Sequence, residues 1–313
     1  MTQPEFRIVD LGDRRVLETG GRSYPTRYSA RIVRMLVERK GAHRAPLYFD
    51  FKDTRGPHFL GPLFRYLRAR GAWGLRVLEI GCSFGHMTEY VAEQSEVATL
   101  STYDTDPAFV ELMRAKVEEL KLSVVREVLH LDQAGTCALP WPDGAFDLVL
   151  AVGVIEHLPR RHRRRQVDEH YRVLARGGHI AILDTPNRWF PLETHSVGLP
   201  LVQWLPSPLA WRYARLARPG RYGAVGFDEF DADGTGWRNA SLAECLPSAG
   251  RADLADVTEE AGYGFAFFRD TARSRTRRAL LPAFAAAAAT LRALGRAPSL
   301  ALPYFNLLLR KTG

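Results

Sequence analysis

The 313-residue chain is 46% hydrophobic and 25% charged, which excludes a disordered or fibrous polymer and leaves a packed globular protein with room for one large domain or a core plus a smaller lobe. Its 43 basic residues against 35 acidic ones leave a net charge of +8, a moderate excess that favours anionic partners such as phosphates, nucleic acid or an acidic membrane surface. Three widely spaced cysteines, Cys82, Cys137 and Cys245, argue against a disulfide framework or a zinc knuckle and suit a reducing cytoplasm.

Residues 1–15 lack the basic-then-apolar run of an export signal. Residues 1–74 read as a helical lead-in, with apolar residues at helical spacing over 29–37 and 59–67. From Leu75 short apolar runs alternate with helical segments, which is the pattern of βαβ units around a parallel sheet. Strands are predicted at 76–80, 98–103, 124–131, 146–152 and 179–183, and helices at 85–94, 107–120 and 163–175. Gly177-Gly178 is expected to end the third of these helices. Residues 185–239 then break into a Pro-, Trp- and Gly-rich insertion too long for an ordinary connection, as lids and binding loops are. A helix near 242–247, a strand near 254–257, a basic Ala-rich helix over 271–296 and a last strand at 304–310 complete the domain of residues 75–313. The most apolar stretch, 279–291, falls short of the ~20 residues of a membrane span, so none is expected.

Chemistry concentrates in Val77-Leu78-Glu79-Ile80-Gly81-Cys82-Ser83-Phe84-Gly85, an apolar strand entering a small-residue turn that opens a helix. Such a turn lets a ligand approach the backbone, and the helix start offers free N–H groups and partial positive charge. Asp104 ends the next strand about twenty residues later, the place of the carboxylate that accepts from ribose hydroxyls in nucleotide-binding βαβ units. Asp106, before Pro107, suits a helix cap.

These residues, with Tyr103 to Pro107, the run Leu139-Pro140-Trp141-Pro142-Asp143-Gly144-Ala145-Phe146-Asp147-Leu148-Val149 and Glu156-His157-Leu158, resemble class I S-adenosylmethionine-dependent methyltransferases of the bacterial small-molecule, sugar or lipid type. The resemblance covers roughly residues 75–187. It implies a Rossmann-like α/β fold, a mostly parallel seven-stranded sheet with flanking helices, and S-adenosylmethionine as cofactor. It assigns Glu79, Gly81 and Gly85 to the methionine end, with Cys82 and Ser83 in the same turn. Asp104 takes the ribose, flanked by Tyr103 and Thr105. Asp132 takes the adenine amino group, Gln133 packs beside the ring, and Val152-Gly153-Val154 lies along the methionine moiety with His157 nearby. Ser83 departs from the pattern, since a second glycine is common there. Related O-methyltransferases hold a metal through a Glu-x-x-Glu-His run; Gly153 stands at its first position here, so no metal is expected.

Ligands of an open parallel sheet lie beyond the carboxyl ends of its strands, so the segment from Asp184 to His195 is the expected acceptor side. Its Thr185-Pro186-Asn187 run resembles a loop of bacterial methyltransferases that modify sugars, lipids or natural products. Methyl transfer needs alignment of nucleophile and methyl and exclusion of water, and a hydroxyl acceptor also needs a base. His195 is the first candidate for it, followed by Glu193, Asp184 and His157. The expected acceptor is a small or lipid-linked molecule, with residues 185–239 as its lid. The basic run Arg160 to Arg165 and the cluster Arg273, Arg275, Arg277 and Arg278 are solvated faces by default, with contact to an anionic inner membrane face as the alternative. No nucleic-acid recognition module is visible.

Gly81-Cys82-Ser83-Phe84-Gly85 also fits the Gly-x-Ser-x-Gly elbow of a serine hydrolase with Ser83 as nucleophile, but that reading leaves Asp104 without a role and lacks an oxyanion-hole run. A dinucleotide dehydrogenase would need glycine at Ser83 and His86. A catalytically silent, cofactor-binding partner protein is the non-enzymatic alternative.

Overall fold

In the computed structural model, which describes residues 6–12, 15–272 and 275–313, the chain opens on strands. β1 (Phe6–Asp10), β2 (Arg15–Thr19) and β3 (Arg22–Thr26) pair antiparallel in that order. Gly20 and Gly21 turn the second hairpin with φ of +56° and +71°, the left-handed pair that a tight two-residue turn requires. The helical reading of residues 1–74 is thus corrected over 6–26, where a Gly-Gly hairpin signal outweighs helical spacing. Residues 1–5 and 13–14 of that reading lie outside the described residues.

The two helices expected next are present. The Ser29 hydroxyl caps α1 (Ala30–Lys40) by accepting from the Ile32 amide at 3.3 Å, and Gly41 ends it at φ +78°. α2 (Phe51–Ala69) follows. Alternation then begins with β4 (Leu75–Ile80), α3 (His86–Ala92), β5 (Val97–Asp104), α4 (Pro107–Glu119) and β6 (Val125–His130). Asp106 caps α4 through the Ala108 amide at 2.9 Å, with Pro107 as its first residue, as its sequence suggests. These elements make up the unit Met1–Asp132.

The unit Gln133–Gly313 contains β7 (Phe146–Val152), α5 (Arg163–Arg172), β8 (Leu174–Pro186), α6 (Ser207–Ala217), α7 (Pro219–Tyr222), α8 (Phe227–Phe230), β9 (Leu254–Asp256), α9 (Phe265–Asp270), α10 (Arg275–Ala293) and β10 (Tyr304–Lys311). The helix before β8 ends at Arg172, and Gly177-Gly178 lies inside β8 instead of closing it. There the register jumps from Phe146↔Leu174 to Leu148↔His179, and a Cβ on Gly178 would meet the Asp147 carbonyl at 2.8 Å.

β4 to β10 form one seven-stranded sheet in the order β6-β5-β4-β7-β8-β10-β9. The β4·β5, β5·β6 and β7·β8 pairs are parallel, whereas β10 runs antiparallel to β8 and β9. This mostly parallel, helix-flanked sheet is the Rossmann-like α/β architecture. Among the described residues, no helix is long and apolar enough to cross a membrane.

Within the first unit, a buried charge pair locks the helices to the turn after β4. Lys116 on α4 donates to the Phe84 carbonyl at 2.8 Å and to Glu89 on α3 at 2.7 Å, and its ammonium lies 4.2 Å from the Tyr28 ring centre. Glu89 also accepts the Tyr28 hydroxyl at 2.9 Å and pairs with Arg27. Burial pushes the Lys116 pKa down, opposed by Glu89. Because both side chains are nearly inaccessible, removing one strands the other. Lys116→Met is expected to cost about 3–5 kcal/mol in denaturant unfolding, the range for breaking a buried pair. Adding Glu89→Gln should recover part of that loss; no recovery would mean that Lys116 acts only through the Phe84 carbonyl. Gly85, at φ +74°, faces the Met113 sulfur where a Cβ would stand. Gly85→Ala should destabilise by at least about 1–3 kcal/mol from overpacking, read as a fall in Tm.

Candidate functional site

The first unit holds nine of the fourteen expected cofactor residues. Between β4 and α3 the backbone turns left-handed at Gly81 (φ +74°), Ser83 (φ +45°) and Gly85 (φ +74°). Two of these positions carry glycine, and Ser83 holds a conformation that glycine adopts without strain. The amides of Gly81 and Cys82 both donate to the Tyr103 carbonyl, at 3.0 and 3.1 Å. Asp104 closes the clasp: Oδ2 accepts the Ser83 amide at 2.8 Å and Oδ1 the Asp106 amide at 3.0 Å. A carboxylate has roughly four acceptor positions, so Asp104 keeps capacity for further donors after these two bonds. Burial raises its pKa, against the pull of the Ser83 and Thr105 amides.

The other expected residues of this unit differ in exposure. Cys82 and the Tyr103 ring are buried, while Thr105 and Asp132 are exposed. Glu79 is buried and its carboxyl accepts the Thr88 hydroxyl; burial pushes its pKa up to about 8.

The second unit brings together residues far apart in sequence. After β7, Gly153 takes φ +64°, and a short 3-10 turn, Ile155–His157, presents Glu156 and His157. His195 reaches the same place from the insertion, its Nε2 3.1 Å from His157 Nε2. Glu156 is buried, and Oε1 lies 3.9 Å from the Nε2 atom of each histidine. Neither Glu156 oxygen has a hydrogen-bond partner among the described residues. His157 Nδ1 lies 2.7 Å from the Gly234 carbonyl, and a carbonyl only accepts, so Nδ1 carries the proton. Gly236 packs against both rings, where a Cβ would come within 3.0 Å of His157 and 3.1 Å of His195. Burial lowers the His157 pKa, pushes His195 down to about 4 with help from His157, and pushes Glu156 up to about 8 with help from Asp184. Burial thus favours the neutral form of both imidazoles.

The sequence marks His157 and His195 separately, with Glu156 in the Glu156-His157-Leu158 motif, and assigns nothing to Gly234 or Gly236. The Gly234-Thr235-Gly236 run was the available signal, since paired glycines mark a close backbone approach. Asp184 falls within β8 at φ +55°, its amide donating to Asn306 at 2.9 Å. Glu193 is fully buried, and its carboxylate accepts the amides of His195, Ser196, Val197 and Gly198 at 2.6–2.9 Å. Such bonds use Glu193 to shape the loop that carries His195. Gln133 is exposed at the unit's start and accepts from Gln166 at 3.1 Å; Val152 and Val154 are half-buried.

Residues 185–239 do not form an open strap. Val197, Leu199, Val202, Ala210, Ala214, Phe230 and Trp237 give the insertion a small core of its own. Much of the basic run is occupied within the protein. Arg160 pairs with Asp231 at 2.9 Å, Arg164 donates to Ser248 at 2.6 Å, and Arg165 to the Cys137 carbonyl at 3.1 Å. Arg163 is buried, which corrects the reading of this run as a solvated face. It donates to the carbonyls of Glu156, Leu158 and Asn239 and to Glu244, at 2.9–3.2 Å for its terminal nitrogens. Arg273 lies outside the described residues.

Residues 78–182 match the family described as a methyltransferase domain. A protein named probable tRNA methyltransferase 9B from Bos taurus is 31% identical over 190 residues, 59% of this chain and 36% of that one. A demethylmenaquinone methyltransferase from Thermus thermophilus is 31% identical over 112 residues, 36% of this chain and 47% of that one. A ubiquinone biosynthesis O-methyltransferase from Cronobacter sakazakii is 29% identical over 143 residues, 44% of this chain and 55% of that one. The chain thus spans only about a third to a half of these relatives' lengths. The glycine turn from Gly81 to Gly85 and its Asp104 clasp fall within the matched segment, and residues 78–182 are a methyltransferase domain.

Proposed function

We propose that this protein transfers a methyl group from S-adenosylmethionine to a small-molecule acceptor, with O-methylation of a sugar, glycolipid or natural product favoured. The observation that supports it most is the Asp104 clasp: a carboxylate that shapes the glycine turn through Ser83 and retains acceptor positions for a ribose diol. The remaining cofactor residues in this reading are Glu79, Gly81, Gly85 and Asp132. When bound, S-adenosylmethionine supplies an electrophilic methyl on a sulfonium. The chain's own work is to hold it, orient an acceptor oxygen and take up that oxygen's proton. The catalytic candidates in this reading are His195, His157, Asp184 and Glu193. The relatives' names span tRNA, quinone and alkaloid substrates, so kinship leaves the acceptor open. The hydrolase reading of Ser83 is weaker, because the segment holding Ser83 matches the methyltransferase family.

Calorimetry with S-adenosylhomocysteine tests the cofactor. Asp104→Ala should weaken binding by about 1.5–3 kcal/mol, the range for hydrogen bonds to a charged group. Asp104→Asn, which keeps one acceptor oxygen, should lie between it and the parent. Equal affinity in all three, with unchanged melting, would remove Asp104 from the site. His195→Ala should lower turnover by roughly a hundredfold or more while leaving S-adenosylhomocysteine affinity intact, if proton uptake passes through this group. Loss confined to acceptor affinity would instead leave His195 a lid residue.

A further inference from the structure

We propose that Glu156, His157 and His195 form a binding site for a divalent cation of the zinc class, a ligand set that the sequence motif alone does not reveal. This goes beyond the methyl-transfer reading and stands on its own geometry. One ligand atom from each of the three residues lies within 4.8 Å of the others. The separations of 3.1, 3.9 and 3.9 Å bracket the roughly 3.3 Å edge of a tetrahedron built on metal–ligand bonds of about 2.0–2.1 Å.

The two imidazoles share one hydrogen bond, from His195 Nε2 to His157 Nε2 at 3.1 Å, and three further features point to a metal. First, a buried Glu156 carboxyl has both oxygens without partners and directs Oε1 at the two imidazoles. Buried polar groups are normally hydrogen-bonded, and a buried carboxyl with neither oxygen bonded is a costly exception. A cation between the three residues removes that cost. Second, the bond from His157 Nδ1 to the Gly234 carbonyl places the lone pair on Nε2, on the cluster side. Metal-ligating histidines are commonly held this way, with the second ring nitrogen bonded to a backbone carbonyl that fixes tautomer and orientation. Third, the loop beneath the rings carries glycine at position 236, where a side chain would press on both imidazoles.

The donor set selects the ion. Two imidazole nitrogens and one carboxylate oxygen suit zinc or its transition-metal neighbours and disfavour magnesium, which prefers oxygen donors. Side-chain exposures of 41% for His157 and 26% for His195 leave coordination positions open to water or to an oxygen-bearing acceptor. Three protein ligands with an open fourth position match a catalytic rather than a closed structural zinc site. The expectation of no metal rested on Gly153 at the first place of the motif. That glycine faces the Glu156 carboxylate, where a Cβ would lie 3.8 Å from Oε1, and His195 from the insertion supplies the third ligand instead.

The test uses the 313-residue protein stripped with chelator and titrated with zinc by calorimetry and with cobalt(II) by absorption. The parent should bind one equivalent of each, with cobalt showing the intense visible bands of a four- or five-coordinate site. His195→Gln, at the surface, should weaken binding at least tenfold with little change in melting. Glu156→Gln and His157→Ala should do the same or more. His130→Ala and His162→Ala, away from the cluster, should bind like the parent. Absence of stoichiometric binding by folded protein, or equal affinity in His195→Gln and Glu156→Gln, overturns the site. S-adenosylhomocysteine binding measured on the same samples separates failure of this inference from failure of the methyltransferase reading.

Discussion

The Lys116–Glu89 pair is the constraint on which the first unit's candidate site depends. A single ammonium, enclosed by α3, α4 and the Tyr28 ring, fixes the Phe84 carbonyl and hence the middle of the turn after β4. With Phe84 held from one side and Ser83 from the other by Asp104, the turn has few ways to relax. Left-handed backbone at Gly81, Ser83 and Gly85 is sustained by that double hold, so the three conformations that invite a ligand are also the ones the buried ions and the carboxylate maintain.

Arg163 does comparable work in the second unit. Its guanidinium binds the carbonyls of Glu156 and Leu158 on one side of the 3-10 turn and that of Asn239, at the end of the insertion, on the other. Five donors in a fixed fork suit this task, which one lysine ammonium would not fulfil. Glu193 completes the frame by gathering the four amides that follow it. The histidine pair thus sits between two organisers, one cationic and one anionic, neither of which touches an imidazole nitrogen in any recorded bond. Its neighbour Asp184 occupies a left-handed conformation at the same edge. Strained backbone and an unpaired buried carboxyl together mark this as a place where stability has been traded for chemistry.

The sequence made the core of the fold readable because its code is local. Apolar runs of five to eight residues, a turn of small residues and a carboxylate at a strand end lie on one contiguous stretch, and β4 to β7 appear within a residue or two of expectation at most ends. Reading failed where a competing local signal was underweighted or where partners were distant. Gly20-Gly21 turned a supposed helix into a hairpin. Gly177-Gly178, taken as a helix stop, became an excursion inside β8, because pairing with β7 resumes at His179. Arg163 read as one more surface arginine, although its partners Asn239 and Glu244 lie 76 and 81 residues further on.

What the sequence determined by itself was the Rossmann-like class, the glycine turn and the register of Asp104 against it, since hydrophobic periodicity and conformational preference act between near neighbours. What only the tertiary structure decided was which side chains share a site. His157 and His195 are 38 residues apart and meet because an insertion with its own apolar core folds back onto the turn after β7. Glu193 and Arg163, both plausible chemical groups in one dimension, are consumed in three by the backbone amides and carbonyls they must satisfy. Burial decides such assignments, because a charged group removed from water takes whatever hydrogen bonds the surrounding chain offers, and no local pattern of residues encodes which those will be.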